Sequence, residues 1–198
     1  MFPEKGISWT ELKKSMQEAT VDDAKWHEGR MTQGTYYVSD ELGNKIREAY
    51  SLFIHSNQLY SKRFYASLNK FENDILEMSR QIFNGPQGVC GTVTTGGTES
   101  IICAIKAARN WARKNKPEIK KPRIVIPETA HPSFNKAAAF MDLEVERVPY
   151  DEGFRADVGA MEAAIDENTI LMIGSAPCWP FGAHDPIAEL SEVAARQN

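Results

Sequence analysis

The stretch that decides the fold is "RIVIPETAHPSFNKAAAFMDLEVERVP", residues 123–149. It begins with a short apolar run, "RIVIP" (123–127), which is typical of a fully buried strand. A helical segment follows over about 133–141, and "LEVERVP" (143–149) then alternates apolar and polar residues as a strand does. A strand, a helix and a second strand in this order predict a parallel βαβ unit covered by helices.

The same alternation extends on both sides of this unit. Upstream, the strand-like "GTVTT" (91–95) precedes a helix over about 98–114. Downstream come a helix near 157–165, a strand within "TILMIGSAP" (169–177) and a helix from 185. Strands that alternate with helices predict an α/β fold whose sheet is mainly parallel.

The first part of the chain has a different pattern. Apolar residues recur there with helical spacing in three segments: 8–24, 40–55 and 67–83. Ser8 or Thr10 is a candidate cap for the first helix. We therefore predict a helical N-terminal segment over 1–88, followed over 89–198 by the first half of a larger sheet domain.

Composition excludes several classes of protein. Of the 198 residues, 42% are apolar and the formal net charge is −4, which is ordinary for a globular protein and argues against a nucleic-acid partner. No run approaches the roughly 18 apolar residues of a membrane span. The three cysteines are far apart and form no metal-binding spacing, so we expect no metal site and a reducing, cytoplasmic compartment.

Ligands of parallel α/β sheets bind at the carboxyl ends of the strands, so the loops there are the candidate sites. The first loop holds Gly96, Gly97 and Thr98 at the start of a helix. Free N–H groups, the helix dipole and a nearby hydroxyl suit a phosphate. The alternative is a tight strand–helix turn in which Thr98 is a plain cap. The residues alone favour neither reading.

The second and third loops carry histidine and serine side chains. His131 follows a strand and precedes a helix, where its ring could stack on a flat ligand or act as an acid or base, or simply cap the helix. Ser175 ends the last strand, where it could line a pocket or have no role beyond the strand end. Asp185 precedes Pro186 and is expected to cap the last helix.

Taken together, six stretches in this order resemble those of the sphingosine-1-phosphate lyases. These enzymes belong to the pyridoxal-phosphate (PLP) group II decarboxylase-like enzymes of aspartate-aminotransferase fold, known as fold type I. The resemblance runs from about Trp26 to the C-terminus. It rests on "EGRMTQGTYY" (28–37), "AYSLFIHSNQLY" (49–60), "GTVTTGGTESI" (91–101), "TAHPSFNKAA" (129–138), "RVPYDEGFRADVGAMEAAIDENT" (147–169) and "GSAPCWPFGAHDPIAEL" (174–190).

The resemblance implies a role for each matching residue. Gly97 and Thr98 would bind the PLP phosphate, His131 would stack on the pyridine ring, and Ser175 would lie near the ring or its 3-oxygen. Two further residues, Tyr37 and Asn57, would approach substrate or cofactor across the interface of a homodimer with shared active sites. Tyr60 stands where the family has histidine, which bears on recognition of the head group.

The resemblance also implies groups that this sequence does not contain. The family pairs the pyridine nitrogen with an Asp in a His-x-Asp motif and forms its Schiff base with a Lys in an Asp-x-His-Lys motif. Neither motif occurs here. We therefore expect the chain to be a truncated piece of the enzyme that is inactive alone.

The resemblance implies a PLP-dependent carbon–carbon lyase. It would cleave phosphorylated sphingoid bases, such as sphingosine 1-phosphate, to a fatty aldehyde and phosphoethanolamine. A PLP-dependent amino-acid decarboxylase is the alternative within the same cofactor class. A non-catalytic phosphate- or PLP-binding fragment or subunit is the alternative from another class.

Overall fold

The computed structural model describes residues 4–31 and 34–197. These residues form two compact units, one up to Asn69 and the other from Lys70 onward. The division lies inside a helix, and the predicted domain boundary at 88/89 stays a prediction. Among the described residues, no helix has both the length and the apolar character needed to cross a bilayer.

The unit up to Asn69 is helical. It contains α1 (Trp9–Ala19), α2 (Asp40–Phe53), two short 3₁₀ turns (Trp26–Glu28 and Gln58–Tyr60) and the start of α3 (Ala66–Ile82). Ser8 is the cap of α1, because its hydroxyl accepts a hydrogen bond from the Glu11 amide while the Glu11 carboxylate accepts one from the Ser8 amide. The three predicted helices are confirmed, except that α1 ends at Ala19 and not near residue 24. Of the two candidate caps the structure selects Ser8.

The second unit is built on a three-stranded parallel sheet. Its further elements are α4 (Gly97–Asn115), β1 (Arg123–Pro127), α5 (Ser133–Phe140), β2 (Glu144–Val148), α6 (Val158–Ala163), β3 (Thr169–Met172) and α7 (Ile187–Arg196). The strand order is β2-β1-β3, with both pairs parallel. The predicted parallel α/β arrangement is therefore confirmed in this part of the chain.

The two faces of β1 contribute to two separate apolar clusters. Ile124 and Ile126 pack in the cluster that includes Ile105 of α4 and Ala137 of α5. Val125, which points the other way, packs in a second cluster that contains Val148, Ala156, Met161 and Leu190. Helices therefore cover both faces of the central strand, as a parallel sheet requires.

The strand predicted over 91–95 is absent, and that prediction is wrong. Among the described residues, no strand lies beside this segment to form a ladder. The Val93 amide and the Thr92 hydroxyl instead donate hydrogen bonds to the Glu72 carboxylate, at 3.2 and 3.1 Å. A β-prone sequence becomes a strand only where a neighbouring strand can accept its backbone hydrogen bonds.

Ion pairs join the starts of the three strands. The Arg123 guanidinium of β1 lies 3.2 Å from a Glu144 carboxylate oxygen of β2 and 2.9 Å from an Asp166 oxygen, just before β3. Partial burial acts to raise the pKa of Asp166. Hydrogen bonds from the Thr169 hydroxyl and the Asn168 amide, together with the Arg123 charge, outweigh that effect and lower this pKa below its usual value.

Asp166 should therefore make stability depend on pH. Its pKa is lower in the folded than in the unfolded state, so its contribution is present above about pH 4 and is lost as the pH falls through the folded pKa. We expect Asp166→Asn to cost about 1–2 kcal/mol at pH 7 and progressively less as the pH is lowered below about 4. Thermal unfolding of both proteins across this range measures the difference.

Asp142→Asn is the matched control, because Asp142 is exposed and its left-handed backbone (φ of 57°) suits asparagine equally well. A loss of stability in Asp166→Asn that is the same at both ends of the pH range would contradict the prediction.

Candidate functional site

The amino end of α4 carries the first part of the candidate site. Gly96 precedes the helix in an extended conformation and Gly97 is its first residue. Within the part of the chain that the structure describes, no side chain makes a capping hydrogen bond at this end. The first N–H groups of the helix are therefore available to an acceptor from outside the helix. The Glu99 carboxylate turns back instead to the Thr95 hydroxyl and amide, at 2.6 and 2.7 Å, and these hydrogen bonds hold the pKa of Glu99 below its usual value.

The two glycines have no structural explanation within the described chain. A Cβ added to Gly96 or to Gly97 would meet no atom within 4 Å, and neither residue has the left-handed backbone that favours glycine. Glycine at a helix start nevertheless costs conformational entropy on folding. What the pair provides is bare backbone that a ligand can approach closely, as a phosphate site at a helix amino end requires.

A hydrogen bond connects this first loop to the second. The Thr98 and Ser133 hydroxyl oxygens are 2.9 Å apart, and Ser133 is the buried first residue of α5. The Ser133 amide in turn donates to Nδ1 of His131 at 3.1 Å. Two hydrogen bonds thus lead from the amino end of α4 to the imidazole ring.

The contacts of His131 define its orientation and its tautomer. Because Nδ1 accepts a hydrogen bond from an amide, the neutral ring must carry its proton on Nε2. The half-buried ring also makes an edge contact with Trp179 of the third loop, with centroids 5.5 Å apart and planes at 83°. The second and third loops therefore meet at His131.

The third loop is closed at its base by Ser175 and Asp185. The Ser175 amide donates to the Asp185 carboxylate at 2.7 Å, and the Asp185 amide donates to the Ser175 carbonyl at 2.9 Å. Within residues 4–31 and 34–197, the Ser175 hydroxyl has no hydrogen-bond partner. The prediction that Asp185 caps the last helix is wrong, because Pro186 occupies the cap position and the buried carboxylate binds the amides of Ser175 and Ala156 instead.

Tyr37 and Asn57 belong to the other compact unit. The Tyr37 hydroxyl donates to Asp40 at 3.4 Å, its ring packs on the edge of Trp26, and it lines a cavity of about 610 Å³. Asn57 is exposed, and its side-chain oxygen accepts a hydrogen bond from the Leu59 amide at 3.0 Å. Residues 32–33 of the "EGRMTQGTYY" stretch lie outside the described residues. The roles of Tyr37, Asn57 and Tyr60 stay predictions.

The residues brought together by the sheet fit the phosphate and ring of PLP. Gly97 offers a free helix-start amide, Thr98 a hydroxyl and His131 a flat ring held in place by neighbours on two loops. Thr129 lies two residues before His131 in the sequence. Its buried hydroxyl has no hydrogen-bond partner among the described residues. Among those same residues, no cluster of side chains could hold a metal ion.

Two contributors were missed by sequence reasoning. Ser133 was assigned only to a helix start, although its position two residues after His131 is a signal for a hydrogen bond between the two. Trp179 gave no signal, because its contact with His131 depends on how two loops distant in sequence are folded.

Comparison with known proteins shows the family to which the chain belongs. The family model of aminotransferase class I and II matches residues 65–198. Sphingosine-1-phosphate lyase 1 of Rattus norvegicus is 38% identical over 195 residues, covering 98% of this chain and 34% of the relative. A probable L-tyrosine/L-aspartate decarboxylase of Methanosarcina acetivorans is 36% identical over 204 residues, covering 96% of this chain and 50% of the relative.

A solved structure extends the likeness to the fold. The sphingosine-1-phosphate lyase of Burkholderia pseudomallei superimposes with a TM-score of 0.91 at 34% identity, covering all of this chain and 47% of that one. The chain thus spans about a third to a half of the length of the relatives it matches. The fold-type-I expectation and the PLP cofactor of the family are confirmed. The chain belongs to the aminotransferase class I and II family, and it is similar to the sphingosine-1-phosphate lyases.

Proposed function

We propose that this chain supplies the phosphate-binding part of a PLP-dependent carbon–carbon lyase. The substrate would be a phosphorylated sphingoid base such as sphingosine 1-phosphate, and the products a fatty aldehyde and phosphoethanolamine. The observation that carries the proposal is the uncapped Gly-Gly-Thr start of α4, joined through Ser133 to His131. The similarity to sphingosine-1-phosphate lyases over 98% of the chain supports the choice of substrate class.

Each residue of the site has a separate task in this proposal. The Gly97 amide and the Thr98 hydroxyl donate hydrogen bonds to the cofactor phosphate, and the helix dipole favours its negative charge. His131 forms one wall for the cofactor ring, and the Ser175 hydroxyl lies near the ring oxygen. Bound PLP would supply the electron sink for bond cleavage. The Schiff-base Lys and the pyridine-pairing Asp of the family are absent from this sequence, so the 198 residues alone are proposed to be inactive.

A PLP-dependent amino-acid decarboxylase is the second candidate. The observation that favours it is the 36% identity to the probable L-tyrosine/L-aspartate decarboxylase of Methanosarcina acetivorans. The phosphate site and the His131 wall serve either reaction. The residues that approach the substrate, which we propose to include Tyr37, Asn57 and Tyr60, must therefore distinguish the two.

A homodimer with shared active sites is part of the proposal. The apolar stripe of α3 is exposed in this chain, since Ile75, Met78 and Ile82 are 46%, 55% and 74% exposed. A second subunit would remove such side chains from water, which is favourable. The cytoplasmic location stays a prediction from the cysteine content.

The proposal predicts that Gly97→Ala separates folding from phosphate binding. The added methyl group meets no atom within 4 Å and alanine is the better helix former, so the thermal midpoint should be unchanged or higher. The same methyl group should keep a phosphate from the backbone and raise the Kd for PLP at least tenfold. Titration of the full-length protein with PLP, followed by absorbance, measures the Kd. An unchanged Kd for PLP would show that the glycine pair forms only a turn and takes no part in phosphate binding.

Thr98→Val should weaken cofactor binding by removal of one donor. A hydrogen bond to a charged group contributes about 1.5–3 kcal/mol, which corresponds to a Kd roughly 10- to 100-fold higher. Thr98→Ser, which keeps the hydroxyl, is the matched control and should bind PLP almost normally. Equal affinities of the valine and serine variants would remove Thr98 from the phosphate site.

Product analysis with the full-length protein decides the reaction. We expect a fatty aldehyde and phosphoethanolamine from sphingosine 1-phosphate, and a large loss of kcat in His131→Ala because the ring wall is gone. Release of carbon dioxide from an amino acid, without aldehyde, would select the decarboxylase. Failure of borohydride to trap PLP on any lysine would leave a non-catalytic binding protein.

A further inference from the structure

The buried carboxylate of Asp185 has no place among the groups assigned to PLP. It is 4% exposed, and no ion pair joins it to any cation among residues 4–31 and 34–197. Its two oxygens accept hydrogen bonds from two backbone amides, Ala156 at 2.8 Å and Ser175 at 2.7 Å. A carboxylate without a countercharge is costly to bury, so a specific structural need must retain it.

That need is the closure of the third loop, residues 175–185. Both backbone groups of Ser175 bond to Asp185, so the loop begins and ends on one pair of residues. A second closure lies inside it, where the Cys178 amide donates to the Ala183 carbonyl at 2.7 Å and the Gly182 amide donates to the Cys178 carbonyl at 3.0 Å. The bond to Ala156 fixes this closed loop to the segment before α6.

The closed loop presents Trp179 to His131. Cys178, the neighbour of Trp179, is 1% exposed, which holds this part of the loop against the domain. Trp179 itself is 58% exposed, and its ring makes an edge contact with the ring of His131. Rotation or lifting of the loop would therefore remove one of the two contacts that orient the imidazole.

We propose that Asp185 is a positioning residue that acts through the 175–185 loop to hold Trp179 against His131. The inference rests on the proposed function, because His131 serves as the wall of the cofactor site. Asp185 does not touch the cofactor in this proposal. Its effect on PLP is indirect, through the orientation of the His131 ring.

Chemical labelling of the cofactor-free, full-length protein tests the first step. Cys178 should react slowly with iodoacetamide, while exposed Cys90 serves as an internal reference. We expect Asp185→Ala, which leaves both amides without an acceptor, to raise the Cys178 rate at least tenfold. Asp185→Asn keeps one carbonyl oxygen and should give a smaller rise. The modification rate of His131 by diethyl pyrocarbonate should rise in parallel, and peptide mass spectrometry measures both rates.

Asp166→Ala and Asp166→Asn are the matched controls. Asp166 also uses its carboxylate to accept a backbone amide, from Asn168 at 3.0 Å, but it lies before β3 rather than after it. These variants should lose stability without a selective rise at Cys178 or His131. If Cys178 and His131 are modified no faster in the Asp185 variants than in the Asp166 variants, Asp185 contributes only general stability and the proposal is overturned. If Asp185→Ala does not fold, the same comparison of modification rates is made with Asp185→Asn and Asp166→Asn.

Titration with PLP tests the second step. We expect the Kd of Asp185→Ala to rise about tenfold while that of Asp166→Ala stays within twofold of the wild type. A loosened loop with unchanged PLP affinity would overturn the positioning role. Failure of the wild-type protein to bind PLP would instead reject the proposed function, and the labelling of His131 would still show whether Asp185 controls its position.

Discussion

Parallel pairing of β1 with β2 on one side and β3 on the other is the constraint on which the candidate site depends. In a parallel sheet the carboxyl ends of neighbouring strands lie at one edge, so the loops that follow them begin side by side. The central strand is almost fully buried between helices, which fixes its register. Without this pairing, His131 and Trp179 would belong to unrelated parts of the chain.

Hydrogen bonds among the three loops turn this proximity into a defined arrangement. Ser133 joins Thr98 to His131, and Asp185 closes the loop that carries Trp179, whose ring contacts His131. Two of the groups that make these links, the Ser133 hydroxyl and the Asp185 carboxylate, belong to buried residues, where an unmade hydrogen bond is costly. A binding site supported in this way is preorganised, because the ring and the helix start are held before a ligand arrives.

The two edge strands of the sheet, β2 and β3, differ in how well they are protected from pairing with a further strand. The edge strand β2 carries Glu144, Glu146 and Arg147, which is how natural sheets discourage further strand pairing. β3 has the sequence "TILM", contains no charge and is only partly buried. Together with the exposed stripe of α3, it leaves apolar groups in water that the proposed enzyme assembly would cover.

The sequence by itself determined the elements, because hydrophobic periodicity and capping residues act within a few positions of the chain. It located β1 and, within one residue, the start of α4, it narrowed the cap of α1 to Ser8 or Thr10, and its ordered motifs identified the enzyme family. It failed at 91–95 and at Asp185, where the outcome depends on partners distant in sequence. Only the tertiary structure decided that Glu72 accepts a hydrogen bond from the segment 91–95, which was predicted as a strand. It also decided that Asp185 closes the 175–185 loop. The physical reason is that a backbone amide bonds to whichever acceptor the folded chain places beside it, and periodicity holds no information about that neighbour.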